Sequence, residues 1–158
     1  LPLIIKDFHR QNILSTREIE ACVRSLPSEH VKGLKGIVFK PARELGIFGI
    51  PIHQGCKGGF YPEFYTIVIF DLVDRKTAEH VLYHEIGHYY YHCKMDSYTK
   101  KEWTAIYNAN RKPVSSYGSK NWVEDFSEAY AYFICQPDKL MANNWRKYIF
   151  LKSRVFNT

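Results

Sequence analysis

Tyr83-His84-Glu85-Ile86-Gly87-His88 is the run around which the rest of this chain can be ordered. It carries the pattern H-E-x-x-H. On an α-helix, residues four apart lie on one face, one turn above the other. His84 and His88 can then aim both imidazoles at a single metal ion. Glu85, beside them, can reach a water on the same ion. Zinc held by three protein ligands, with one position open, lowers the pKa of its water to about 7. Glu85 can take that proton and later deliver it to a leaving amine. The chemistry these residue types suit is metal-assisted hydrolysis of a peptide bond.

The pattern is short, and an ordinary helix surface can carry it by chance. Its surroundings favour a helix with a purpose. From Thr77 to His92 there is no proline and a single glycine. Asp74 offers an N-cap, and Val81, Leu82, Ile86 and Tyr89 fall at helical spacing. Gly87 inside such a helix costs about 1 kcal/mol relative to alanine. A cost of that size points to another segment packed close against the helix.

Working outward, Thr66 to Leu72 (TIVIFDL) is the best strand signal and leads directly into the motif helix. Gly36 to Lys40 is a second, shorter strand. Residues 41 to 62 hold eight glycines and prolines, which predicts a loop with a short extended piece at Gly59 to Tyr61. Upstream, Ser15-Thr16-Arg17-Glu18 reads as a capping box, and Ile19, Val23 and Leu26 form an apolar face that Pro27 ends. Downstream, Thr99-Lys100-Lys101-Glu102 reads as another capping box, leading into a stripe of Trp103, Ile106 and Tyr107. Pro113 to Lys120 is a polar loop. A helix is expected from Asn121 or Trp122 to about Cys135, stopped by Pro137, and a last one from Asn144 to Phe156. Strands followed by helices make the class α+β.

With 158 residues, the chain fits one domain, 1–158, with a real core. Twenty-two basic against sixteen acidic residues give a net charge of +6. That favours attraction to acidic surfaces. Short pairs such as Lys100-Lys101 do not make a nucleic-acid reader, so no nucleic-acid partner is expected. No stretch is apolar enough to span a membrane. Cys22, Cys56, Cys93 and Cys135 form neither a C-x-x-C nor a disulfide scaffold, and free thiols are expected. Localisation is not legible from composition; the expectation leans to a secreted or delivered effector over a cytoplasmic protein. A monomer acting on a protein or peptide substrate is expected.

A catalytic zinc needs a third protein ligand. Asn121 to Ala131 (NWVEDFSEAYA) supplies Glu124 and Glu128, four apart on one helix face. One can bind the metal, while the other accepts a hydrogen bond from a ligating histidine and fixes its tautomer. Glu124 can equally be the N3 residue of a capping box led by Asn121. Asp125 is expected to face solvent or to pair with a nearby base. His92, a further turn of about 5.4 Å beyond His88, could be a fourth ligand, but a fourth ligand would close the site.

The two segments together, HEIGH and later SYGSKNWVEDFSEAYAYF, resemble the gluzincin peptidases related to the anthrax lethal factor catalytic domain and the clostridial Pro-Pro endopeptidases. The resemblance covers roughly the C-terminal two thirds. It implies a zincin-like fold with a small sheet, an edge strand over the active-site cleft and a mostly helical C-terminal part. It implies zinc on His84, His88 and Glu124, with Glu85 as general base. Tyr117, seven residues before Glu124, would be the oxyanion donor, and Glu128 the orienter of a zinc histidine. Gly59, Phe60 and Tyr61 would be the substrate-binding edge. The loop from Gly46 to Pro62 matches nothing that can be carried over. The chain is also similar to the ImmA/IrrE peptidases that act on phage-type repressors, which would use the same His84, Glu85, His88 and Glu124. A binding module that kept the fold without activity is the rival from another class; it would be expected to break a ligand or lose Glu85.

Overall fold

The computed structural model describes residues 2–45 and 57–158. It is an α+β arrangement in which the sheet comes early and every regular element from Arg75 onward is a helix. Four strands, β1 (Ile4–Lys6), β2 (Gly36–Phe39), β3 (Gly58–Tyr61) and β4 (Thr66–Ile69), lie in the order β1-β2-β4-β3. The first three in that order run parallel, and β3 pairs antiparallel with β4, Gly59 opposite Val68. β1 has only three residues and no alternation, so it leaves no sequence signal; its pairing with β2 holds it in place. Between β1 and β2 stand α1 (Thr16–Arg24) and α2 (Ser28–Val31). Ser15 caps α1 in the expected box, its hydroxyl accepting from the Glu18 amide. A short α3 (Ala42–Leu45) stands where only loop was expected. The remainder of the predicted loop, 46–56 with Cys56, lies outside the described residues.

The motif helix is α4 (Arg75–Cys93), capped by Asp74, whose carboxylate accepts from the Thr77 amide at 2.8 Å. Next come α5 (Ser97–Ala109), α6 (Trp122–Cys135), α7 (Pro137–Asn143) and α8 (Trp145–Phe150), which runs on as a π-turn to Val155. α5 begins earlier than its sequence suggested. Asp96, not Thr99, is the N-cap, and Thr99 donates its amide to that carboxylate at 2.7 Å. Pro137 ends α6 as expected but also opens α7, because a proline at the first helical position lacks only an N–H that would go unpaired anyway.

The core runs from Phe8, Leu14 and Ile19 through Ile37, Ile67 and Ile69 of the sheet to Leu82, Ile86, Phe126, Tyr130 and Leu151. α4 and α6 meet at its centre. A Cβ on Gly87 would lie 3.1 Å from both the Ser127 Cα and the Tyr130 Cβ, so glycine is what lets the two helices approach this closely. That contact is the close packing the sequence called for, and it aligns the motif face of α4 with the start of α6. Cys22, Cys93 and Cys135 are free thiols, and Cys93 ends α4 exposed. No helix among the described residues is long and apolar enough to cross a membrane.

Candidate metal centre

His84 and His88 leave α4 one turn apart, and Glu124 leaves the first turn of α6 to meet them. The Glu124 Oε2 is 3.1 Å from His84 Nε2 and 3.2 Å from His88 Nε2. The three ligand atoms all lie within 4.8 Å of one another, and this is the metal-capable cluster among the described residues. Two imidazole nitrogens and one carboxylate oxygen are a donor set that suits zinc, and they leave room for a fourth ligand. Glu124 also occupies N3 of α6, its amide bonded to the Asn121 side chain at 2.9 Å. The Asn121 cap uses only the Glu124 backbone amide, and the Glu124 side chain goes to the histidine cluster.

Glu128 lies one turn further along α6. Its Oε2 accepts from His84 Nδ1 at 2.8 Å. A carboxylate can only accept, so Nδ1 carries the hydrogen and the Nε2 lone pair is left for a cation. The same Oε2 accepts from His80 Nε2 at 2.8 Å, and Oε1 accepts from the Ser115 hydroxyl at 2.6 Å. Burial pushes the Glu128 carboxyl up, but the bonds from His80 and His84 outweigh it and hold it well below the usual carboxylate range. Glu124 follows the same logic. Burial raises it, the two histidines lower it, and it settles at about 2. Burial depresses the His84 imidazole, yet Glu124 and Glu128 more than offset this and hold it at about 10. The two carboxylates thus favour positive charge at the centre.

Glu85 is buried on the wall of the cleft, and desolvation raises its pKa while the neighbouring histidines lower it. Two connected cavities meet there, of about 210 and 250 Å³. Both are lined by Gly58, His84, Glu85 and Tyr117. The Tyr117 ring meets the His84 ring edge-on, centroids 5.3 Å apart, and the Lys120 ammonium sits 3.9 Å above the phenol face.

β3 is the terminal strand of the described sheet, and its Gly59 and Phe60 line the larger cavity. Phe60 turns toward α4, edge-on to Tyr89 at 5.6 Å. Tyr61 does not join them. Alternation along the strand sends its ring to the far side of the sheet, against Val68 and Phe70. His92 stacks on His88 at 6.2 Å, is exposed, and stays outside the ligand cluster. Asp125 is fully buried and pairs with Lys147 at 2.7 Å, so of the two expectations for it the ion pair holds and the solvent-facing carboxylate does not.

No protein-family model matches the chain, and no curated protein matches it significantly in sequence. What the site can do therefore follows from its side chains. Sequence reasoning missed His80 and Ser115. His80 had a visible signal: His80, His84, His88 and His92 recur every four residues on one face of α4. Ser115 had none, because its partner lies thirteen residues away across a turn.

Proposed function

We propose that this chain is a zinc-dependent endopeptidase, with His84, His88 and Glu124 as metal ligands and Glu85 as the proton-transfer group. The observation that carries the reading is the convergence of two imidazole Nε2 atoms on one carboxylate oxygen, with Glu85 buried in the same cleft. A zinc ion held by these three residues would supply a Lewis acid that polarises a carbonyl and brings a water toward neutral pKa.

The protein's own groups account for the other steps. Glu85 orients a water, takes its proton as the oxygen attacks the scissile carbonyl carbon, and passes that proton to the departing amine nitrogen. Desolvation raises its pKa, the direction that suits a group that must release a proton as well as accept one. Tyr117 donates its hydroxyl to the carbonyl oxygen as negative charge builds there, a contribution of about 3 kcal/mol for a preorganised donor. Glu128 holds His84 in the required tautomer. An extended peptide would lie along β3, its backbone bonding to the strand and its side chains entering the two cavities. A gluzincin-type zincin fold of the lethal factor group is the architecture that this order of motifs supports.

Glu85→Gln tests the reading. The ligands are untouched, so zinc content should stay at one equivalent while turnover of a peptide library falls by about 10²–10⁴-fold. Near-normal cleavage by the zinc-loaded variant would remove Glu85 from the chemistry.

A further inference from the structure

The two oxygens of Glu128 lead to different parts of the site. Oε2 accepts from His84 Nδ1 and His80 Nε2, each at 2.8 Å. Oε1 accepts from Ser115 Oγ at 2.6 Å, a short charge-assisted bond. Ser115 stands two residues before Tyr117, and its Oγ also accepts from the Gly118 amide at 3.4 Å. The turn is pinned at its other end as well, where Gly118 packs so tightly on α6 that a Cβ would lie 3.2 Å from Asp125 Oδ1 and 3.3 Å from its Cα. Tyr117 sits between these two anchors, with its ring against His84. One carboxylate therefore reaches the imidazole from behind and, through a serine, holds the turn that places the phenol in front of it. His80 occupies the second acceptor direction of Oε2 and resists rotation of the carboxylate.

We propose that Ser115 is a positioning residue for Tyr117: its hydroxyl fastens the 115–119 turn to Glu128, so the phenol and the His84 ring share one anchor. The catalytic consequence rests on the peptidase reading; the anchoring itself does not. A serine that only satisfied Glu128 would act on His84 and the metal. A serine that sets the turn acts on Tyr117 and leaves metal affinity alone.

The test is a double-mutant cycle with zinc-loaded protein. Ser115→Ala should lower kcat about tenfold, the lower end of what outer-shell partners contribute, with zinc affinity unchanged. Tyr117→Phe should also lower kcat, and adding Ser115→Ala to it should cost nothing more, because the hydroxyl being positioned is gone. Ser115→Thr keeps the donor and should restore most of the activity. Amide hydrogen exchange of residues 117–120 should quicken in Ser115→Ala and Glu128→Gln but not in Ser115→Thr. Losses that multiply in the double variant, or zinc lost in step with turnover, would overturn the assignment. So would unchanged exchange in Ser115→Ala. If zinc-loaded wild type cleaves no peptide, the peptidase reading fails, and the exchange measurement still decides whether Ser115 fastens the turn.

Discussion

Glu124 and Asp125 are neighbours with opposite fates, set by the roughly 100° that separates consecutive residues on a helix. Glu124 turns to the cleft and the two histidines. Asp125 turns inward, where Lys147 reaches it from α8, also contacting the Lys112 carbonyl at 3.3 Å. Desolvation raises the Asp125 pKa and Lys147 opposes the rise. Removing either partner leaves the other charge buried alone, a cost of about 3–5 kcal/mol. Glu124→Ala should lose most of its zinc affinity and, in chelator, melt only modestly lower, because Glu128 still pairs with His84. Asp125→Ala should melt lower by roughly 6–20 °C, at about 2–4 °C per kcal/mol for a chain of this size, yet bind zinc normally below its melt. Zinc titration and a thermal melt on both variants separate the two roles. If the two variants lose zinc alike, the helix phase assigned to Glu124 is wrong.

At the scale of elements, the site is a consequence of how closely α4 and α6 cross. Gly87 permits the approach, and Glu124 and Glu128 then stand opposite His84 and His88. Gly87→Ala adds a methyl that meets the Ser127 backbone and Tyr130 at 3.1 Å. Better helix propensity returns about 1 kcal/mol, and overpacking costs about 1–3 kcal/mol. The helices should part by a few tenths of an ångström, lengthening both Glu124 contacts, so zinc affinity should fall by more than stability does. Unchanged zinc affinity in Gly87→Ala would show that the crossing is not what sets the ligand spacing. Much of this pair was legible in the sequence: the Asp74 and Asn121 caps, the histidine spacing, and the cost of Gly87 are all local signals. The sheet was less so. β2 and β4 declare themselves by β-branched residues, whereas β1 exists through parallel pairing with a distant strand. The side to which Tyr61 turns follows from a register that only the pairing of β3 with β4 fixes. Likewise the Asp125–Lys147 pair joins residues twenty-two apart, and nothing local in either helix announces it.

Across the whole molecule, His30 ties three distant parts of the chain together. Its Nε2 meets the Val155 carbonyl at 2.9 Å, and its Nδ1 meets the Tyr130 hydroxyl at 2.8 Å. A carbonyl only accepts, so Nε2 carries the hydrogen and Nδ1 takes the tyrosine's proton in a bond. That assignment uses the neutral ring fully. A second proton on Nδ1 would face a buried hydroxyl already pointed at it. Burial lowers the His30 pKa, and the Val155 bond offsets part of that. The unfolded chain takes up this proton near pH 6.5, before the folded protein does. Below that pH the unfolded state binds more protons, so the contribution of His30 to stability is present above about 6.5 and is lost as pH falls toward the folded value. The measurement belongs in chelator, because acid would also displace any metal ion held by His84 and His88. In the metal-free protein His84 works in the other direction, its raised pKa stabilising the fold at low pH and ceasing to do so as pH rises through about 10. Comparing wild type with His30→Gln cancels that background. Denaturant unfolding at pH 8 and pH 5 should show the variant's deficit shrinking at the lower pH. A deficit that stays constant would mean that the ring is not held neutral in the fold and that its two hydrogen bonds do not select the tautomer.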